Sequence, residues 1–292
     1  MQLPRTLAYL ALLVSSALAG AAEPARVTHI SWLSADPPPT ADGKSNAGLT
    51  GKLVSFMTQQ WPEVKHEILQ ANAKRSWQLI AQGEPVCHGS ALRTPEREKL
   101  AYFSPTLMGP PLQLIARRDK LAALPLNSAG EVDLARLLAD ARLQGALVGG
   151  RSYGQYIDKA LSPLSAYQTL AFYSASDYGS KILPMLLAGR ADYTIEQDMA
   201  LSVGRENNPQ MMALVSLPIQ GASELIAAGV ACPRNAWGLA AIREIDKRLG
   251  TPAGAAMLRE SFERWLTPEL RQRYGAQLDA FYKERARPAV IR

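Results

Sequence analysis

The sequence predicts an α/β fold with one lobe inserted into another, and three observations carry that reading. Short apolar runs alternate with segments of helical spacing from residue 27 to the end of the chain. The pattern restarts with a fresh extended segment at Met108 and returns with another near Ser223. No low-complexity or repeat segment separates the parts, whereas two consecutive domains are usually joined by a linker.

The elements follow in order. The run 27–33 reads as a first strand, ended by Pro37-Pro38-Pro39 and a polar turn through Gly43. Over 48–61, Leu53, Phe56, Met57 and Trp61 fall near one helical face, and Pro62 stops the helix. A strand over 67–70, a helix over 74–81 closed by Gly83 and a strand over 85–91 come next. Thr94 reads as an N-cap, with Pro95 at the first helical position and Glu96 in the first turn. The extended segment 108–117 then leads to a helix over 131–141, a strand over 146–149 and a helix capped by Ser152 that runs to Leu161. A strand over 170–173 precedes a helix over 177–188, in which Pro184 predicts a kink. A strand over 191–195, the extended run 223–231 and helices over 236–249, 254–265 and 268–285 complete the chain.

Composition narrows the function classes. Of 292 residues 47% are hydrophobic, too many for a disordered chain, and 20% are charged, spread too evenly for a membrane bundle. The net charge of +6 comes without clustered lysines and arginines interleaved with aromatics, so no nucleic-acid partner is expected. Residues 1–22 have the layout of a secretory signal: Arg5, an apolar run over 7–14, then small residues with cleavage sites after Ala19 and Ala22. No cysteine stands at that point, so the expectation is an exported periplasmic protein rather than a lipoprotein. In an oxidising compartment Cys87 and Cys232 leave two alternatives, one disulfide or a pair of buried thiols. His29, His66 and His88 show no metal-ligand spacing, and no cofactor is expected.

Several fragments, each weak alone, occur together in a fixed order. They are Pro38-Pro39 after the first strand, Gly48-Leu49 opening the first helix, and Gly83 closing the second. Thr94-Pro95-Glu96-Arg97 precedes Tyr102-Phe103-Ser104-Pro105, and Gly189-Arg190-Ala191-Asp192-Tyr193 and Gly229-Val230-Ala231-Cys232-Pro233 come later. This series resembles the type 2 periplasmic solute-binding proteins, in particular the polar amino-acid-binding group (solute-binding protein family 3), as a two-cysteine branch. The resemblance implies a two-lobed type 2 periplasmic-binding-protein fold with two crossover hinge strands, near 108–114 and 218–226. Lobe 1 would combine 23–110 with 223–292, and lobe 2 would be the inserted 111–222. The third strand and the return strand would then be neighbours, which favours a Cys87–Cys232 bridge. The implied partners are a small-molecule ligand and an inner-membrane ABC permease or sensor receptor, served by a monomer.

Arg97 is the sharpest candidate for ligand binding, because a guanidinium fork matches a carboxylate and the resembled family grips its ligand's carboxylate with an arginine of this loop. Thr94 and Ser90 accompany it, although Leu92 stands where the family usually has a hydroxyl. Thr-Pro recurs at Thr251-Pro252 and Thr267-Pro268, where it serves only to start a helix. A second anion cradle is read at Arg151-Ser152-Tyr153-Gly154, with Ser152, Tyr153 and Gly154 as contacts. Trp32 and Tyr153 are expected to wall the cleft and Arg75 to face it. Glu196 or Asp198 takes the place of the family's aspartate toward a ligand ammonium. No Gly-x-Ser-x-Gly elbow or nucleophile-histidine pair suggests an enzyme. The alternative is a cyclohexadienyl-dehydratase-like activity with Glu196 as general acid.

Overall fold

The computed structural model describes residues 26–35, 49–162, 169–174, 182–264 and 266–292. The expected export signal, Pro38-Pro39, Gly48 and the 177–181 start of a predicted helix lie outside these residues.

The chain begins with β1 (His29–Ser34), α1 (Leu49–Gln60), β2 (Lys65–Gln70), α2 (Ala73–Ala81), β3 (Val86–Leu92), the single turn α3 (Pro95–Glu98) and β4 (Ala101–Gly109). It then passes to β5 (Gln113–Arg117), α4 (Leu134–Ala139), β6 (Gly145–Val148), α5 (Gln155–Leu161), β7 (Leu170–Tyr173), α6 (Ile182–Leu187), β8 (Tyr193–Glu196), α7 (Asp198–Asn207) and β9 (Leu214–Pro218). It returns through β10 (Ile226–Pro233) and ends in α8 (Ala236–Leu249), α9 (Pro252–Glu263) and α10 (Pro268–Arg285). The strands form two sheets, ordered β2-β1-β3-β10-β4 and β7-β6-β8-β5-β9. In each, parallel strands are completed by an antiparallel strand that carries the chain between lobes: β10 lies antiparallel to β3 and β4, and β5 antiparallel to β8 and β9.

Helices cover both faces of each sheet, so the central strands are apolar almost throughout, as a parallel sheet requires. Trp32, Leu53, Met57, Ile242, Leu258 and Leu278 pack one face of the first sheet, and Leu33, Ile80 and Phe103 pack the other. Leu114, Leu137, Leu147 and Ile195 form the larger core of the second lobe. The end of α10 is fixed by a fully buried ion pair. Arg285 Nη2 lies 3.0 Å from Asp246 Oδ1, Ser104 Oγ donates to that same oxygen at 2.7 Å, and the Ala289 N–H donates to Oδ2 at 2.7 Å.

Local chemistry explains where the sequence-based expectations shift. The single extended segment 108–117 is two strands, because Pro110 and Pro111 have no N–H for a ladder and break it where the chain changes sheets. Ser152 is not the cap of α5. Gly154 holds that position at φ 90°, a region that favours glycine, while Ser152 Oγ binds Asp158. Pro184 produces no mid-helix break, since it falls in the first turn of α6, where N–H groups have no intrahelical acceptor. The three Thr-Pro sites behave alike: Thr94, Thr251 and Thr267 each cap a helix and accept from the N–H of Arg97, Gly254 and Leu270.

Cys87 on β3 and Cys232 on β10 are disulfide-bonded. The bridge spans 145 residues of sequence, a loop that contains the whole second lobe. Closing it removes about 5 kcal/mol of unfolded-state entropy in the chain-entropy account. Reduction, or Cys87→Ala with Cys232→Ala, is therefore expected to lower the urea midpoint substantially. An unchanged midpoint would show that the bridge contributes nothing to stability.

Candidate functional site

A cavity of about 300 Å³ lies between the two lobes, beside the C-terminal half of β3. Strand alternation puts His88, Ser90 and Leu92 on its wall, and one helical turn of α2 adds Ala73 and Trp77. From the first lobe come also Arg97, Thr50, Leu107, Ala228 and Phe262; from the second come Arg151, Ser152, Glu196, Gln197 and Met199. Crevices at the carboxyl ends of parallel strands are where open α/β sheets bind ligands. A wider outer chamber of about 940 Å³ shares Arg97, Arg151 and Ser152 with the cavity and adds Thr94, Lys74, Glu96, Asp158 and Tyr173.

Arg97 is held in a fixed attitude. Its guanidinium stacks on Trp77, with Cζ 4.4 Å from the ring centroid, and Nη1 donates to the Leu92 carbonyl at 3.1 Å. His88 also packs against Trp77, its ring 6.4 Å away at an interplanar angle of 22°. His88 Nδ1 accepts from the Ser90 N–H at 3.1 Å. Burial, with the nearby Arg97 charge adding to it, pushes His88 down to a pKa of about 3. The imidazole is therefore neutral at ordinary pH, and it serves as a wall rather than a second cation.

Facing this stack, the second lobe presents a bidentate ion pair. Arg151 Nη2 donates to Glu196 Oε1 at 2.7 Å, Nη1 donates to Oε2, and the Gln197 N–H donates to Oε1 at 2.8 Å. The two side chains are only 9% and 4% exposed. Arg151 also lies over the Tyr153 ring, with Cζ 5.2 Å from its centroid. At the rim the lobes touch: Asn72 Nδ2 donates to Ser174 Oγ at 2.8 Å, and a Cβ on Gly150 would stand 2.9 Å from the Lys74 nitrogen.

The residues singled out from sequence are thus dispersed. Arg97, Ser90, Ser152 and Glu196 meet at the cavity, while Thr94 stands in the outer chamber as the cap of α3. Trp32 does not wall the cleft: it is fully buried in the first-lobe core, because β1 lies between β2 and β3, and its Nε1 donates to His66 Nδ1 at 3.1 Å. Tyr153 is buried against the second-lobe core, its hydroxyl accepting from the Val148 N–H at 2.7 Å, and it also lines the outer chamber. Gly154 lines a separate cavity behind the crossovers, and Asp198 lines another beside Pro110 and Arg273. Arg75 is exposed on α2 and lines none of these cavities. Sequence reasoning missed Trp77, His88 and the Arg151 partner of Glu196. For His88 a signal existed in its two-residue spacing from Ser90; for the ion pair, 45 residues apart, there was none.

No protein-family model and no curated protein matches the chain. Solved structures do. The chain is similar to the amino acid ABC transporter substrate-binding protein AbpA of Streptococcus pneumoniae, solved with L-arginine. Identity is 16% over 82% of this chain and 96% of that one, with a TM-score of 0.57. It is similar to a putative L-cystine ABC transporter protein of Listeria monocytogenes at 16% identity, covering 84% and 98%, with a TM-score of 0.60. It is also similar to a histidine kinase sensor domain with similarity to periplasmic binding proteins, at 17% identity, covering 83% and 97%, with a TM-score of 0.61. These likenesses establish the fold, the two-lobed type 2 periplasmic-binding-protein architecture.

Two stability predictions follow from the site's electrostatics. Glu196→Gln removes the carboxylate that binds both arms of the Arg151 fork and is expected to cost about 3–5 kcal/mol in urea denaturation, whereas Arg151→Met combined with Glu196→Met costs far less. For His88, the unfolded chain takes up a proton below its ordinary pKa of 6.5, while the folded chain refuses it until about 3. Its contribution therefore destabilises the fold as pH falls through that window, at up to ~1.4 kcal/mol per pH unit, and vanishes above it. His88→Gln should flatten the acid arm of stability measured between pH 6.5 and 4; an unchanged slope would show that His88 is not the group responsible.

Proposed function

We propose that this protein is an exported substrate-binding protein that closes its lobes on a small carboxylate-bearing, amino-acid-like ligand and presents it to an ABC permease or a sensor in the membrane. The observation that supports this best is Arg97, a guanidinium oriented by Trp77 and the Leu92 carbonyl at the wall of a cavity between two lobes. Such a fork is matched by a carboxylate, and a ligand touching both lobes favours the closed arrangement over the open one. The L-arginine bound by one neighbour and the L-cystine in the name of another are both carboxylates.

In this reading 1–22 is a cleavable export signal and the mature protein works in the periplasm as a monomer, with no cofactor and no nucleic acid. Lobe 1 comprises 23–110 and 223–292, lobe 2 comprises 111–222, and the crossings through Pro110-Pro111 and after Pro218 act as hinges. Ser90 and Ser152 supply further hydrogen bonds from opposite lobes. The dehydratase alternative has less support, because both oxygens of Glu196, its general acid, already accept from Arg151.

Calorimetric titration of the mature protein with amino acids, short peptides and organic acids is expected to find a carboxylate ligand. Arg97→Ala should then weaken its binding by about 2–5 kcal/mol, the usual cost of truncating one partner of a desolvated charge pair. Unchanged affinity would remove Arg97 from the site.

A further inference from the structure

We infer that the cavity contains a subsite for an apolar chain, walled from the second lobe by Met199; this rests on the carboxylate-binding reading above and narrows its ligand to acids with a hydrocarbon side chain. The cavity reaches the cores on both faces of the first sheet. Trp77, on which Arg97 stacks, packs against the core of Leu33, Ile80 and Phe103. Leu49, Leu92, Leu107, Ala228 and Phe262 belong to the core on the other face, and all five line the cavity as one contiguous apolar wall. Leu92 joins the two parts. Its carbonyl accepts from Arg97 Nη1 at 3.1 Å, while its side chain packs with that wall. A carboxylate held by Arg97 therefore has apolar surface within reach of its carbon chain.

The sixth member of the wall comes across from the second lobe. Met199 stands in the first turn of α7, three residues after Glu196, and is half-buried against the first-lobe core. Among the described residues of 111–222 it alone packs there. A thioether side chain is flexible and polarizable, and it follows the shape of what it covers. Opposite it the wall has a hollow: Ala228 on β10 lies in register with Leu92 on one side and Leu107 on the other, so a single methyl stands between two leucines. Ser261, which adjoins Phe262, donates its hydroxyl to the Met257 carbonyl at 2.7 Å. Each methylene buried against such a wall is worth about fourfold in affinity (~0.8 kcal/mol).

The test titrates two homologous series into the mature wild-type protein by calorimetry: alanine, 2-aminobutanoate, norvaline and norleucine, and propanoate through hexanoate. In the series that binds more tightly, affinity is expected to rise about fourfold per added methylene. Polar-ended partners complete the comparison, lysine against norleucine and hexanedioate against hexanoate, and the apolar member should bind at least tenfold tighter. A flat or falling series, or a polar-ended partner that binds as well or better, overturns this inference and leaves the carboxylate-binding reading standing. Binding of none of these carboxylates overturns both.

The part played by Met199 is read from the slope of the series. Met199→Ala should weaken the longest member by about tenfold or more and leave the shortest within about twofold, whereas Met199→Leu, close in volume, should keep the wild-type slope. Met199→Gln, equal in length with a polar end, should flatten the series in the same way and serves where the alanine variant does not fold. An equal loss for short and long members, or a slope unmoved by both variants, overturns the assignment of Met199 to the subsite wall.

Discussion

The arrangement of the whole molecule depends on β10. This strand is the tenth element after β4, formed once the chain has left the first sheet and come back, and it fills the gap between β3 and β4, pairing antiparallel with both. Without it the first sheet would be two separate pieces. Its register with β4 runs from Ile226 opposite Gly109 to Pro233 opposite Ala101 and shifts at Gly229, where a side chain would collide with the Ser104 carbonyl. The disulfide fastens the same strand to β3 on its other side. The second lobe is therefore held at both ends by one frame, and its freedom is confined to the two crossings. Ala228, a small residue on β10, also forms part of the cavity wall, so the strand that closes the frame also leaves room for a ligand.

Two buried ion pairs divide structural from site-facing roles. Asp246 and Arg285 are surrounded by protein partners: Ser104, the Ala289 N–H and the carbonyl of Pro105 complete their bonding, and the pair fixes the C-terminal helix against β4. Arg151 and Glu196 are somewhat less buried and stand on a cavity wall. Buried pairs of this kind seldom add stability over apolar residues of the same size, because desolvation offsets the attraction. On the cavity wall the Arg151–Glu196 pair presents two charges that balance each other. The neutral His88 beside Trp77 gives Arg97 an uncharged neighbour.

Much of the fold was legible because its signals are local. The helices expected over 236–249 and 268–285 coincide with α8 and α10, each opened by a side-chain cap that the sequence displays. α7 and β9 were not anticipated, since α7 buries only Leu201 and β9 is five residues whose pairing with β5 is decided by the fold. In the site, Arg97 and Glu196 were found through short motifs around them. Trp32 was misplaced because an aromatic in a strand can face either way, and only the sheet order reveals that β1 is interior. The Arg151–Glu196 contact depends on the neighbouring ends of β6 and β8, which no spacing along the chain encodes.

The rim contacts bear on how binding and closure are coupled. Among the described residues, the lobes meet there through the side-chain hydrogen bond from Asn72 to Ser174 and through the approach of Gly150, at φ 76°, to the backbone of Lys74. An exposed hydrogen bond contributes on the order of 1 kcal/mol, little against the freedom gained by opening. A ligand shifts such an equilibrium only by the difference between its affinities for the two arrangements. That difference must come from groups brought face to face by closure, and these are the Arg97–Trp77–His88 stack of the first lobe and the Arg151–Glu196 wall of the second. Under the proposed carboxylate reading the first supplies the attraction, whereas the second presents a pair whose two charges balance each other. Closure therefore adds to a ligand's affinity only what the second lobe's wall contributes beyond the contacts the first lobe already makes.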